Sequence, residues 1–257
     1  MIKCAVLGSP ISHSLSPVIH RLAYEELGIE GTYEAIDVDK RNFPAFFEKA
    51  KRENWTGFSL TMPLKEMAAE YADQIDDLVK VIRSANTLLK VENRWVAIST
   101  DALAFKSLID LPRSARVKII GGGGTARAAL GALSTSFEKI EIYIRSNKRE
   151  LELKSAAGNC AIEIKNIDDL DNSGDLIIST LPKGALDSRA DKLANGQGIL
   201  FDVLYDPWPT QVAAQWSGQI ISGHELLVEQ AMYQITFMTG ADFNYHLMRG
   251  RLLGAIK

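Results

Sequence analysis

The sequence is poor in cysteine and has no long apolar run, and each shortage excludes a class of protein. Its two cysteines, Cys4 and Cys160, lie far apart in a chain of 257 residues and form no CxxC pair. We therefore expect neither a disulfide framework nor a cysteine-based zinc site. No segment approaches the roughly 18 apolar residues that a membrane helix needs, and the first apolar stretch stops at Gly8, too early for a signal peptide. A cytoplasmic protein without a membrane partner is expected.

An excess of positive charge is also missing. The net charge is −3, from 29 lysines and arginines against 32 aspartates and glutamates. Nucleic-acid binding calls for a basic face, so no nucleic-acid partner is expected. No metal is expected either, because the four histidines show no metal-ligand spacing; they are His13, His20, His224 and His246. With 46% hydrophobic and 24% charged residues, the chain has the composition of a globular protein of one or two domains.

Short apolar segments alternate with helical patterns along the first hundred residues. Strands are predicted at 3–7, 32–38 and 57–61, and a hairpin formed by 85–91 and 94–98 is predicted to turn at Glu92-Asn93. Helices are predicted over 16–27, with Ser16 as N-cap and Pro17 in the first turn, over 43–51, and from Pro63 onward, where the helix carries Lys65. This succession predicts an α/β domain with a mostly parallel sheet.

A second domain is predicted from about residue 103. Strands expected at 117–120, 140–144, 176–179, 198–203 and 220–222 alternate with helical segments such as 125–133, which is typical of a doubly wound, Rossmann-type fold. Two final helices, at 225–239 and 245–255, are expected to return to the first domain. We therefore predict one domain from 1–102 together with 224–257, a second from 103–223, and a cleft between them.

A glycine-rich turn connects the first strand and helix of the second domain. Residues 121–126 read GGGGTA and fit G-x-G-x-x-A, in which the glycines allow a tight turn and a close approach of the backbone to a pyrophosphate. That phosphate binds at the N-terminus of the following helix. The alternative is an ordinary glycine turn, but the preceding strand and following helix favour dinucleotide binding.

The end of the next strand indicates which dinucleotide binds. An acidic residue there binds the ribose of NAD, whereas an arginine accommodates the 2′-phosphate of NADP. Glu141 stands at the beginning of the predicted strand, and residues 145–149 at its end read RSNKR. Arginine and hydroxyl groups suit a phosphate, so NADP(H) is the predicted cofactor. The alternative is that Arg145 and Arg149 are only surface charges.

Polar side chains follow several predicted strands of the first domain, where α/β sheets bind ligands. Ser14 and Ser16 stand at the start of a helix, which favours a carboxylate, although Ser16 alone is also explained as a helix cap. Lys65 is predicted in the first turn of a helix, where the dipole disfavours a cation. A lysine in that place is either a functional residue or an ordinary surface charge. The pairs Asn86-Thr87 and Thr100-Asp101 border the predicted hairpin.

Together these segments are similar to the shikimate dehydrogenase family, in its usual order and spacing across nearly the whole chain. The matching segments are GSPISHSLSP at 8–17, LTMPLK at 60–65, Asn86-Thr87, Thr100-Asp101, the glycine turn, DVLYDP at 202–207, GHELLVEQA at 223–231 and Thr239-Gly240. The resemblance implies a two-domain enzyme that interconverts shikimate and 3-dehydroshikimate with NADP(H) in chorismate and aromatic amino acid biosynthesis. It implies a small-molecule substrate and a monomer or homodimer.

The resemblance also implies a role for individual residues. Lys65 and Asp101 match the catalytic pair, with Lys65 as base in oxidation and acid in reduction. The positions implied to bind the substrate are Ser14 and Ser16 at its carboxylate, with Thr61, Lys65, Asn86, Asp101, Tyr205 and Gln230 around the ring. The positions implied to bind the cofactor are Gly121, Gly122, Gly123, Gly124 and Thr125 at the pyrophosphate, Arg145, Ser146 and Arg149 at the 2′-phosphate, and Val203, Gly223 and Met238 at the nicotinamide.

Two alternatives stay open at this stage. The first is a dehydrogenase of the same family that acts on quinate or another cyclitol acid, a choice that depends on one ring hydroxyl of the substrate. A non-catalytic module that senses NADP(H) has no use for the Lys65–Asp101 pair. The chain also departs from the family pattern: serines replace usual asparagines, alanines replace glycines after Asp101, and the segment after Ser179 is reduced. The changed positions are Ser59, Ser99, Ala102, Ala104, Ile144, Ser179, Leu181 and Ala185, whereas Gly184 keeps the glycine of the family pattern.

Overall fold

The computed structural model describes residues 1–256. The chain forms two compact units: the first takes in Met1–Ala104 and the chain from Leu227 onward, and the second takes in Phe105–Leu226. Within the described residues, no helix is both long and apolar enough to cross a membrane.

The first unit is built on a six-stranded mixed sheet. Its strands are β1 (Ile2–Gly8), β2 (Gly31–Asp37), β3 (Gly57–Leu60), β4 (Gln74–Ile75), β5 (Thr87–Val91) and β6 (Arg94–Ile98), in the spatial order β2-β1-β3-β5-β6-β4. Strand β1 pairs in parallel with β2 and β3, and β4 pairs in parallel with β6, whereas β5 is antiparallel to both β3 and β6. The predicted hairpin is confirmed, and Glu92 and Asn93 both have the positive φ that a tight two-residue turn requires.

Seven helices or helix segments belong wholly or partly to this unit within the described residues. They are α1 (Ser16–Glu26), α2 (Phe43–Ala50), α3 (Ala68–Tyr71), α4 (Asp77–Ile82), α5 (Thr100–Leu108), α10 (Gly223–Thr239) and α11 (Tyr245–Ala255). Because alternate residues of a strand face opposite sides, β1 contributes to two cores. Ala5 and Leu7 pack in an aromatic cluster with Phe47 and Phe58, whereas Cys4 and Val6 face α1, α10 and α11.

Two local predictions in this unit are wrong. Lys65 lies in a run of turns over 62–67, and the helix begins only at Ala68; the Lys65 carbonyl accepts from the amide of Ala85 at 2.8 Å instead of continuing a helix. The N-cap of α1 is Leu15, and Ser16 is the first helical residue. The dipole argument for Lys65 and the capping interpretation of Ser16 are therefore both withdrawn.

The second unit is built on a six-stranded parallel sheet. Its strands are β7 (Val117–Ile120), β8 (Lys139–Ile144), β9 (Ala161–Asn166), β10 (Leu176–Ser179), β11 (Ile199–Asp202) and β12 (Ile220–Ser222), and its helices are α6 (Gly124–Leu133), α7 (Glu150–Ala157), α8 (Ala190–Leu193) and α9 (Gln211–Ala214). The spatial order is β12-β11-β10-β7-β8-β9. The chain builds outward in one direction from β7 to β9 and in the other from β10 to β12, so the order reverses between β7 and β10. This is the doubly wound topology predicted for a Rossmann-type fold. Strand β9 was not predicted from the sequence.

Candidate active site

An ion pair between Lys65 and Asp101 forms the centre of the candidate site in the first unit. The Lys65 Nζ lies 2.7 Å from the Asp101 Oδ2. The lysine side chain is 19% exposed and the aspartate side chain 7% exposed, so the pair is largely shielded from water while part of the lysine side chain remains exposed. Shielding strengthens the attraction between the two charges. The structure therefore brings together the two residues predicted to move the proton.

Asn86 holds the carboxylate from the opposite side. Its Nδ2 donates to Asp101 Oδ1 at 3.0 Å, and also to Thr100 Oγ1 and Gln230 Oε1. Its Oδ1 accepts from the amides of Thr100 at 2.7 Å and Asp101 at 3.3 Å. The Asn86 side chain thus binds both the first turn of α5 and the carboxylate that this turn carries. Each carboxylate oxygen of Asp101 thus accepts a hydrogen bond, Oδ1 from Asn86 and Oδ2 from Lys65.

The register of the sheet explains why these residues meet. Ser59 of β3 lies opposite Thr87 of β5, and Thr87 lies opposite Ile98 of β6. The end of β3, the start of β5 and the end of β6 consequently lie at one edge of the sheet. Lys65, Asn86 and Asp101 follow or precede these strands by a few residues. Gln230 of α10 completes the group through its bond to Asn86.

The loop between β1 and α1, which carries Ser14, lies beside the loop that carries Lys65. Strand β1 is paired with β3, and past their ends the amide of Ser9 donates to the carbonyl of Met62 at 3.1 Å. Ser14 is half-buried and Ser16 is buried, and the Ser16 amide donates to Ser14 Oγ at 3.3 Å. Gly8 allows this close approach, because a Cβ there would lie 2.4 Å from the methyl group of Thr61.

In the second unit, the glycine turn leaves its backbone open at the start of α6. Gly121 has φ of +120°, and a Cβ there would lie 2.3 Å from Thr180 Oγ1. By contrast, among the described residues beyond its chain neighbours, no heavy atom lies within 4 Å of a Cβ built on Gly123. Gly123 is also the N-cap of α6, with no side chain capping the helix. An open backbone at a helix N-terminus fits a phosphate.

The cationic segment lies beside the glycine turn. Arg145 and Ser146 are exposed, Arg149 is half-buried, and a Cβ on Gly122 would contact the Arg149 Cβ at 3.4 Å. The acidic residue of the preceding strand is occupied elsewhere: Glu141 binds Lys165 at 2.9 Å and the Tyr143 hydroxyl at 2.8 Å. These side chains therefore fit a 2′-phosphate better than a bare ribose.

The predicted nicotinamide residues divide between two environments. Val203 and Gly223 lie together, since a Cβ on Gly223 would be 2.4 Å from the Val203 carbonyl oxygen. Tyr205 follows in the same unit, where burial raises the pKa of its phenol. Met238, however, is buried in the core of the first unit, and its side chain lies 3.0 Å from the Cβ position of Gly57. Met238 thus packs in a core of the first unit, and its predicted place at the nicotinamide stays a prediction.

Sequence reasoning missed Gln234, which lies one turn beyond Gln230 on α10. It is fully buried and donates to the Asn86 carbonyl and the Thr87 hydroxyl. The spacing of two glutamines on one helix face was the available signal. Residues 1–256 contain no group of three histidine, cysteine or acidic side chains arranged to hold a metal ion.

Comparisons with known proteins agree with this geometry. Residues 6–88 match the model of the shikimate dehydrogenase substrate binding domain. The chain is 31% identical over 250 residues to the shikimate dehydrogenase (NADP(+)) of an Exiguobacterium species, covering 93% of each protein. The crystal structure of Mycobacterium tuberculosis shikimate dehydrogenase is 31% identical with a TM-score of 0.89 over 100% of both chains. A Thermus thermophilus shikimate 5-dehydrogenase in complex with NADP(H) and shikimate is 28% identical, with a TM-score of 0.85 over 99% of this chain and 100% of that one.

Proposed function

This chain belongs to the shikimate dehydrogenase family, and we therefore propose that it catalyses the reversible, NADPH-dependent reduction of 3-dehydroshikimate to shikimate. The observation that carries the proposal is the 2.7 Å ion pair between Lys65 and Asp101, shielded from water and fixed by Asn86. A module that only senses NADP(H) has no need of such a pair. In the alternative, the same residues would bind quinate or another cyclitol acid, whose ring hydroxyls differ from those of shikimate.

The reaction needs a proton at the substrate oxygen. Reducing a ketone adds a hydride to the carbon and a proton to the oxygen, and oxidation reverses both steps. In the proposed mechanism, the Lys65 ammonium donates its proton to the oxygen during reduction, and the neutral amine accepts it during oxidation. Asp101 holds the ammonium in place through Oδ2. Since the lysine side chain is 19% exposed, it exchanges protons with solvent between turnovers.

The remaining polar residues of the first unit supply binding and orientation. Ser14 and Ser16 would hold the substrate carboxylate through neutral hydroxyl groups. Thr61, Asn86, Gln230 and Tyr205 are proposed to contact the ring hydroxyls. A bound ring held at both ends presents one carbon to the cofactor, which is the positioning that accelerates such reactions.

NADPH, when bound, supplies the hydride. The residues that would hold it are the backbone of 121–125 at the pyrophosphate, Arg145, Ser146 and Arg149 at the 2′-phosphate, and Val203 and Gly223 at the nicotinamide. Support for this assignment comes from the open backbone at Gly123 and from the engagement of Glu141 with Lys165. We accordingly propose residues 1–102 with 224–257 as the catalytic domain and 103–223 as the NADP-binding domain, in a cytoplasmic monomer or homodimer.

Steady-state rates with shikimate and quinate, each with NADP and with NAD, test the proposal. We expect kcat/KM to be highest for shikimate with NADP. A higher value with quinate would move the assignment to the quinate alternative. No turnover with any pair, under conditions where titration shows NADPH binding, would overturn the proposal in favour of a sensor.

A further inference from the structure

Helix α10 presents two buried glutamines to the same asparagine. Gln230 Oε1 accepts from the side chain of Asn86 at 3.1 Å, whereas Gln234 Nε2 donates to the Asn86 carbonyl at 3.2 Å and to Thr87 Oγ1 at 2.8 Å. Gln230 is 6% exposed and Gln234 is 0% exposed. Gln234 therefore cannot touch a substrate and acts only through the residues it binds.

The orientation of the Gln234 amide is fixed from its other end. Its Oε1 accepts from Ser59 Oγ at 2.7 Å and lies 3.3 Å from His20 Nε2. The Tyr33 hydroxyl donates to Ser59 at 2.5 Å, and the Tyr33 ring stacks on His20 with centroids 3.8 Å apart. Because Tyr33 donates to Ser59, the Ser59 proton is directed at Gln234 Oε1, and the amide cannot flip without losing bonds at both ends. Its NH₂ group must face β5.

From β5 the contacts lead directly to the reacting pair. Thr87 Oγ1 lies 3.3 Å from Thr100 Oγ1, and Thr100 accepts from Asn86 Nδ2 at 2.8 Å. Asn86 in turn binds the Asp101 amide and carboxylate. Asp101 holds Lys65. A continuous series of buried hydrogen bonds thus runs from His20 and Tyr33 to the ammonium group.

We propose that Gln234 is a positioning residue for the proton transfer, which sets the placement of Asp101 and Lys65 through Asn86 and Thr87. The proposal rests on the proposed dehydrogenase activity. Gln234 fixes the main chain of Asn86 at the start of β5, and the Asn86 side chain fixes the first turn of α5. Loss of the Gln234 amide therefore displaces the Asp101 carboxylate. Ser14, Ser16 and the glycine turn at 121–126 keep their places.

The variant Gln234→Met, which keeps the length of the side chain and removes both bonding groups, tests the proposal. We expect kcat for shikimate oxidation to fall between about tenfold and a hundredfold, since small misplacements of reacting groups cost this much. The Kd for NADP should stay within about threefold of the original value, and the KM for shikimate should change by a smaller factor than kcat. The matched control is Ile235→Ala, a change at the next, equally buried position of α10, which should lower thermal stability and leave kcat near its original value.

A second variant, Gln234→Glu, distinguishes positioning from loss of folding. A buried carboxyl group retains its proton, so it still accepts from Ser59 and donates one bond toward Asn86. We expect its kcat to exceed that of Gln234→Met, and to fall toward it as rising pH ionises the new carboxyl, which faces His20 and, through Ser59, Tyr33. Equal kcat losses in Gln234→Met and Ile235→Ala, or an unchanged kcat in Gln234→Met, would overturn the positioning role. An unmodified protein that does not oxidise shikimate would instead overturn the proposed function itself.

Discussion

Asn86 and Asp101 exchange two hydrogen bonds: the Asn86 Nδ2 donates to the carboxylate at 3.0 Å, and the Asp101 amide donates back to Asn86 Oδ1 at 3.3 Å. The pair closes a small ring between the start of β5 and the first turn of α5. Through this ring, the geometry of the sheet edge determines where the carboxylate points, and so where the Lys65 ammonium lies.

Replacing Asn86 by alanine should lower both stability and activity. The change leaves the buried amide of Thr100 and one oxygen of Asp101 without their Asn86 partner, at a cost of about 1–3 kcal/mol in the free energy of unfolding. Urea unfolding measures that loss, and kcat should fall with it as Asp101 loses its fixed orientation. Titration with NADP provides the control. Intact kcat in a destabilised Asn86→Ala variant would show that the carboxylate does not depend on this residue.

Two alanine substitutions in the glycine turn should impair different properties, one the stability of the fold and the other the binding of NADP. Gly121→Ala forces a side chain into positive φ and against Thr180, which should lower the free energy of unfolding by about 1–3 kcal/mol or more. Gly123→Ala has room for its methyl group and should change stability by about 1 kcal/mol or less. Its methyl instead occupies the space proposed for the pyrophosphate, so KM for NADP should rise. Equal effects of both variants on stability and KM would contradict this division.

Arg145 should discriminate between the two cofactors. A hydrogen bond to a charged phosphate contributes about 1.5–3 kcal/mol, so Arg145→Leu should lower kcat/KM with NADP by roughly tenfold to a hundredfold. The value with NAD should change little, because NAD has no 2′-phosphate. Arg116→Leu is the matched control, since Arg116 is an exposed arginine that precedes β7, whereas Arg145 follows the parallel strand β8 at the other end of the sheet. Parallel losses with NADP and NAD would rule out the phosphate contact.

His20 should make the stability of the protein depend on pH. Burial lowers the pKa of His20 from 6.5 to about 3, although the hydrogen bond with Gln234 opposes this shift. The unfolded chain therefore binds a proton that the folded protein refuses, and the free energy of unfolding falls as pH falls from about 6.5 toward 3. The slope from this group is at most about 1.4 kcal/mol per pH unit.

Urea unfolding between pH 7 and about 5 measures the slope due to His20. A His20→Gln variant keeps an amide donor near Gln234 and carries no titrating ring, so its unfolding free energy should change less with pH. Identical slopes in the two proteins would show that folding does not lower the pKa of His20.

The sequence predicts most strands and the glycine turn because each is a local pattern. Residues 117–120 read VKII, apolar at every position except Lys118, and Glu92-Asn93 supplies the positive φ angles of a tight turn. The strand over 161–166 also alternates apolar and polar residues, and that signal was missed. The helix predicted at Lys65 failed for a non-local reason, since its carbonyl binds Ala85 of another segment.

Residues that act through distant partners could not be assigned from sequence. The amide of Gln234 binds Asn86 and Thr87, which lie 148 and 147 positions away along the chain, and its spacing from Gln230 indicates a shared helix face but not these partners. Met238 shows the same limit in reverse. An apolar residue on a helix suits a nicotinamide pocket as well as a core, and the sequence could not show that Met238 packs against Gly57.

The turnover of Lys65→Met with shikimate and NADP tests the proposed proton transfer most directly. Methionine keeps an unbranched chain of similar length and removes the ammonium that lies 2.7 Å from Asp101. We expect kcat to fall by at least about 100-fold, while titrations show that shikimate and NADP still bind within a few-fold of their original affinities. Near-normal turnover in a folded Lys65→Met variant would contradict the assignment.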